Sequence, residues 1–250
     1  MTDIGAYYPC YKQPKAFLAA VEAYRRWYPT GTLVVVSDNG HDYRRYVEEQ
    51  GGMYRHCDEQ LGSSVTTTFA GVAKAVEFMR RFLEGATLIR ESHYLLLEDD
   101  VAVLGSIPVE ALQWDVTGCN RAYAHMPEAM RDYLKSQYGY LQEGLYYGGC
   151  GGSVFRTAFV QDLARRMLGR LQEEVEEYAA LDPHLYSDMM LSFFAFKYGG
   201  TVGGPPDSLC ERGDAMCAER VRRGVAKVVH QWKQWYNVPL TEEERVRLLI

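Results

Sequence analysis

Apolar positions along this chain follow two spacings, and the first hundred residues alternate between them. In "KAFLAAVEAYRRWYP" (15–29) apolar residues recur at the spacing of one helix face, and Pro29 ends the segment. "TLVVVSD" (32–38) is a short β-branched and apolar stretch that meets an Asn-Gly turn, the pattern of a buried strand. "HDYRRYVEEQGG" (41–52) predicts a helix closed by glycine, and "GMYRHC" (52–57) a strand. "TTTFAGVAKAVEFMRRFLEG" (66–85) predicts a long helix ended by Gly85, and "SHYLLLEDD" (92–100) a buried strand. Residues 2–8 open the series with a short strand. Strands joined through helices predict a mainly parallel sheet covered on both faces.

The second half is less regular. A glycine-dense loop, "GLYYGGCGGSVFRT" (144–157), runs into a long helix over 158–180, and a second helix spans 185–200. Residues 201–214 read as loop, 225–236 as a strand or extended stretch, and 241–250 as a capped terminal helix. No repeat, low-complexity segment or linker divides the chain, so one domain is expected. Two lobes are expected within it, residues 1–105 and 106–236, followed by a C-terminal helix over 237–250.

Composition narrows the partners. A net charge of −6, with no run of five basic residues, argues against nucleic acid. The 19 tyrosines suit a sugar or nucleoside pocket, although tyrosine also packs cores. No stretch reaches the length of a membrane span, and the first residues lack a signal-peptide apolar region. The expected location is therefore the cytoplasm, with Cys10, Cys57, Cys119, Cys150, Cys210 and Cys217 as free thiols, since none forms a CxxC pair. A P-loop and a serine-hydrolase elbow are both missing from the sequence.

The chemistry is concentrated at strand ends, where open parallel sheets bind ligands. "LLLEDD" drives three leucines into Glu98, Asp99 and Asp100. A helix cap explains one acid, not three, whereas a divalent cation explains the cluster. Mg²⁺ typically takes one or two protein carboxylates and leaves other positions to phosphate oxygens and water. Asp38 ends another strand; followed by Asn-Gly, it reads equally as a turn residue.

In position and context "LLLEDD" resembles the DxD-type acid cluster of the GT-A glycosyltransferases, nucleotide-sugar-dependent enzymes on a Rossmann-like sheet. "YYGGCGGSVFRT" (146–157) is similar to the glycine loop of their inverting family 2 members, and "YSDMMLSFFAFKYGGTV" (186–202) to the segment carrying the catalytic base, with Ser187 in place of its first acid. The resemblance implies a single-domain GT-A fold and sugar transfer from a nucleoside diphosphate sugar to a carbohydrate acceptor hydroxyl, with inversion. It implies Mn²⁺ or Mg²⁺ on Asp100, with Glu98 and a late histidine, His230, as further ligands. Asp188 would be the catalytic base, where the plain alternative is a first-turn acid facing the helix dipole. The donor would meet Tyr7 or Tyr8 stacking on the base, Asp38 and Asp58 near the nucleoside, Asp99 beside the metal, and Gly151 and Gly152 in the loop. Trp232, Lys233 and Trp235 would close over the diphosphate. Two alternatives remain at this stage: a nucleotidyltransferase on a similar sheet, or a protein that binds a nucleotide sugar without transferring it.

Overall fold

The structure is a computed structural model and describes residues 3–61, 69–118, 127–139, 148–204, 206–211 and 216–230. Its first half is built from β1 (Gly5–Cys10), α1 (Pro14–Trp27), β2 (Leu33–Asp38), α2 (Arg44–Glu49), β3 (Met53–Cys57), α3 (Val72–Thr87) and β4 (His93–Leu96). β1 pairs in parallel with β2 and β4, and β2 in parallel with β3. Side chains alternate across each strand, and here both faces are covered. Ala6 and Tyr8 of β1, with Leu33 and Val35 of β2, face α1 residues Phe17, Val21 and Tyr24. Tyr7, Val34 and Val36 face the other way, onto α3 residues Met79, Phe82 and Leu83. Double burial is why β2 is apolar at four successive positions, Leu33 to Val36. Pro14 occupies the first turn of α1, where its missing N–H breaks no helical bond.

The chain continues as β5 (Val101–Val103), β6 (Val116–Thr117), α4 (Glu128–Tyr138), β7 (Val154–Arg156), α5 (Thr157–Met167), α6 (Leu171–Leu181) and α7 (Ser187–Lys197). It then runs through β8 (Val202–Gly203), β9 (Leu209–Glu211), α8 (Cys217–Arg222) and β10 (Val228–His230). Seven strands form one sheet in the order β3-β2-β1-β4-β7-β6-β8, and β5, β10 and β9 form a second. β7 runs antiparallel to both β4 and β6, so the large sheet is mixed but mainly parallel.

Several expected boundaries move. The first strand is Gly5–Cys10 rather than 2–8, and the helix expected over 158–180 is broken by a 3-10 turn at Leu168–Arg170. α4 was not anticipated, and the stretch read as loop over 201–214 contains β8 and β9. Strands of two or three residues carry no periodicity, so their partners alone define them. The expected helix over 241–250 and the closing residues Trp232, Lys233 and Trp235 lie outside the described residues.

Candidate active site

β4 and β5 belong to different sheets, and the turn between them carries the acids. Val101 N–H donates to Glu98 O at 3.1 Å, closing a tight turn with Asp99 and Asp100 at its centre. The turn sends the three carboxylates in two directions. Asp99 Oδ1 accepts the Tyr8 hydroxyl at 2.9 Å, so this acid is tied back to β1. Glu98 Oε2 and Asp100 Oδ1 instead each lie 3.6 Å from His230 Nε2. Ligand atoms of Glu98, Asp100 and His230 all fall within 4.8 Å of one another. Strand register makes this meeting possible, because His230 of β10 stands opposite Val101 of β5, next to Asp100.

The donor set fits a divalent cation. Two carboxylate oxygens and an imidazole nitrogen are suitable ligands for Mn²⁺ or Mg²⁺. The 3.6 Å separations are too long for direct hydrogen bonds and leave the three groups facing a common point. Electrostatics agree with a charged pocket. Burial pushes Glu98 up to about 7; His230 opposes that shift, and Asp100 and Asp188 add to it. Burial disfavours charge on His230, but interaction with Cys150 and Glu98 outweighs it and holds the imidazole well above its ordinary value.

The glycine loop is packed between this cluster and α7. Leu96 N–H donates to Ser153 O at 2.9 Å, and Gly152 N–H to Leu96 O at 2.8 Å, so the loop pairs with the end of β4. A Cβ on Gly151 would stand 2.7 Å from Glu98 Oε2. A Cβ on Gly149, which has φ of +120°, would stand 2.9 Å from Asp188 O. These glycines allow close approach between parts of the protein. The Gly152 N–H is committed to Leu96 O within the fold.

Asp188 lies in the first turn of α7, 9% exposed, and its Oδ1 accepts the Ser187 hydroxyl at 2.7 Å. Its charge is felt by both Glu98 and Glu211. Glu211 and Cys150 were not singled out from the sequence. Glu211 ends β9 directly opposite His230, and burial first, with Cys150, Asp188 and Asp100, pushes its carboxyl up to about 7. Only the short β9–β10 pairing brings it here, and a three-residue strand leaves no signal that could have found it.

Asp38 and Asp58 lie at the carboxyl ends of β2 and β3. Asp38 Oδ1 accepts Leu61 N–H at 2.8 Å and pairs with the buried Arg81 of α3 at 3.0 Å, while Asp58 is exposed. The tyrosines correct an expectation. Tyr7 is 2% exposed and packs edge-on against Phe82, and Tyr8 is fully buried with its ring tilted onto Phe17. Neither offers a free ring face to a nucleotide base, because both faces of β1 are covered by helices.

No protein-family model matches the sequence, and no curated protein matches it. Solved structures match the fold. GlyE, a glycosyltransferase of Streptococcus pneumoniae TIGR4, is 10% identical with a TM-score of 0.52; the match covers 99% of this chain and 59% of GlyE. An active-site mutant of LgtC is 14% identical with a TM-score of 0.55, the match covering 98% of this chain and 94% of that one. The galactosyltransferase LgtC in complex with donor and acceptor sugar analogs is 13% identical with a TM-score of 0.53, covering 98% and 100%. The chain therefore has a GT-A-like glycosyltransferase fold, as the strand-end acids led us to expect.

Proposed function

We propose that this chain transfers a sugar from a nucleoside diphosphate sugar to a hydroxyl of a carbohydrate acceptor. The observation that carries the reading is the meeting of Glu98, Asp100 and His230 on a glycosyltransferase fold. Glu98 and Asp100 would supply oxygen ligands, and His230 Nε2 a nitrogen, to Mn²⁺ or Mg²⁺. Bound there, the cation neutralises the diphosphate and improves it as a leaving group.

The remaining work falls to the chain's own residues. Asp38, held by Arg81 and the Leu61 N–H, and Asp58 border the strand ends where the nucleoside is expected. Asp99 fixes the turn through Tyr8 and so keeps Glu98 and Asp100 facing His230. Gly151 lets the loop lie against Glu98 beside the donor. Asp188, on the opposite side of that loop, accepts the proton of the acceptor hydroxyl as its oxygen attacks the anomeric carbon. A single attack from the face opposite the leaving diphosphate inverts the anomeric centre.

Thermal stabilisation by UDP, GDP, CDP and dTDP, each with and without Mn²⁺, tests the binding half. One diphosphate should stabilise the chain only with Mn²⁺, and Asp100→Ala or His230→Ala should remove the effect. Equal stabilisation of the variants would sink the metal assignment. Asp188→Asn should keep that stabilisation while losing turnover about 10²- to 10⁴-fold, the usual worth of a general base. NMR of the product's anomeric configuration then tests inversion, and a retained configuration would remove the base role.

A further inference from the structure

Beneath the small sheet, on the side away from the candidate metal ligands in sequence register, two cysteines meet. Cys210 sits in β9 and Cys217 begins α8, and both are fully buried. Their sulfurs are 2.7 Å apart, against about 2.05 Å in a disulfide. Around them pack the apolar residues Ala102, Val221, Ala226 and Val229. Elsewhere the described cysteines behave differently: Cys10 and Cys57 are packing residues of separate cores, and Cys150 faces Ser153 and His230.

We propose that Cys210 and Cys217 are a redox-active dithiol that closes to a disulfide in place, without repacking the sheet. The inference is independent of the sugar-transfer reading. Cys217 follows Met216, which is 52% exposed, so slight opening of the start of α8 brings its sulfur to solvent first. With a small-molecule disulfide such as oxidised glutathione, the Cys217 thiolate attacks one glutathione sulfur and releases the other glutathione as a thiol. The Cys210 thiolate then displaces the bound glutathione. One protein S–S bond forms, both protein thiols lose their protons, and the two electrons reduce oxidised glutathione to two glutathione molecules. The new bond would tie α8 to the strand next to β10, because Cys210 pairs with Val229, one residue before His230.

The test is to incubate the whole chain with oxidised glutathione, block remaining thiols with iodoacetamide, and digest it without reduction. Trypsin cuts after Arg212, between the two cysteines, so a disulfide holds peptides 198–212 and 213–220 together until a reductant separates them. The expected result is that linked pair, lighter by two hydrogen masses, and a higher melting temperature for the oxidised chain, since a cross-link constrains the unfolded state. Cys217→Ser should abolish both, and Cys210→Ser is the second control should the first fold poorly. Recovery of both peptides separately alkylated would overturn the proposal. So would a disulfide that leaves the melting temperature unchanged or lowered, since that bond would not fit the native packing.

Discussion

Asp99 and Asp100 are neighbours in sequence with different work. Asp99 turns towards Tyr8 and Asp100 towards His230, so a tight turn divides the charge that three adjacent acids would otherwise concentrate. Gly151 is the residue on which this arrangement is most exposed to a small change. Alanine there would place a methyl group 2.7 Å from Glu98 Oε2 and 2.9 Å from Val101 Cγ2. The carboxylate is the softer neighbour and should swing away from His230. We expect Gly151→Ala to keep the fold, by circular dichroism, while Mn²⁺ affinity measured by electron paramagnetic resonance falls about 10- to 100-fold, as for other disturbances around metal ligands. Unchanged affinity would mean that Glu98 is not a ligand.

Among the elements, α6 and α7 are joined by a buried ion cluster. Lys197 Nζ reaches Glu174 Oε2 at 2.5 Å and Glu177 Oε1 at 2.6 Å, and Arg170 Nε reaches Glu174 Oε1 at 3.1 Å. Glu174 is only 1% exposed, so its charge depends on these partners. α7 is apolar around nearly its whole circumference, with Met190, Phe193 and Phe194 all fully buried. A helix so enclosed must bring any cation on it inside, and Lys197 is accommodated only because α6 supplies the acids. Lys197→Met leaves Glu174 with Arg170 and the Tyr198 hydroxyl but without its buried cation, and should cost about 3 kcal/mol, near the low end for breaking a buried pair. For a chain of this size that is a fall in Tm of about 6–12 °C, read by calorimetry. Adding Glu174→Leu should return most of the loss, because a hydrophobic replacement of both partners removes the stranded charge.

For the whole molecule, the same contacts shape acid stability. Burial opposes charge on Glu177, but hydrogen bonding to Lys197 outweighs it and lowers the carboxyl below its ordinary value. Glu77 is likewise lowered, burial being outweighed by Arg81 and Arg80. A carboxyl held low in the folded state releases its proton more readily there than when unfolded. Its contribution is therefore fully present above the ordinary value near 4.5 and is lost as pH falls through the folded value. Urea unfolding should show the difference in stability between the native chain and Lys197→Met shrinking as pH drops below about 4.5, because the variant has already lost the pairing that protonation removes. A difference that stays constant down to pH 3 would show that Glu177 does not carry this linkage.

The sequence by itself determined the α/β layering, the parallel first half and the place of the acids. Each of these depends on local pattern: β2 reads as buried because Leu33 to Val36 are all apolar, and Glu98 to Asp100 stand out because they follow such a run. Tertiary structure alone decided which acids face one another. His230 is distant in sequence from Glu98 and meets it only through the β5–β10 pairing, and Glu211 joins them through a three-residue strand with no readable pattern. The same limit explains Tyr7 and Tyr8. The resemblance led us to expect them stacked on a nucleotide base, but which side of a strand is covered is settled by helices packed from elsewhere in the chain, and here both sides are.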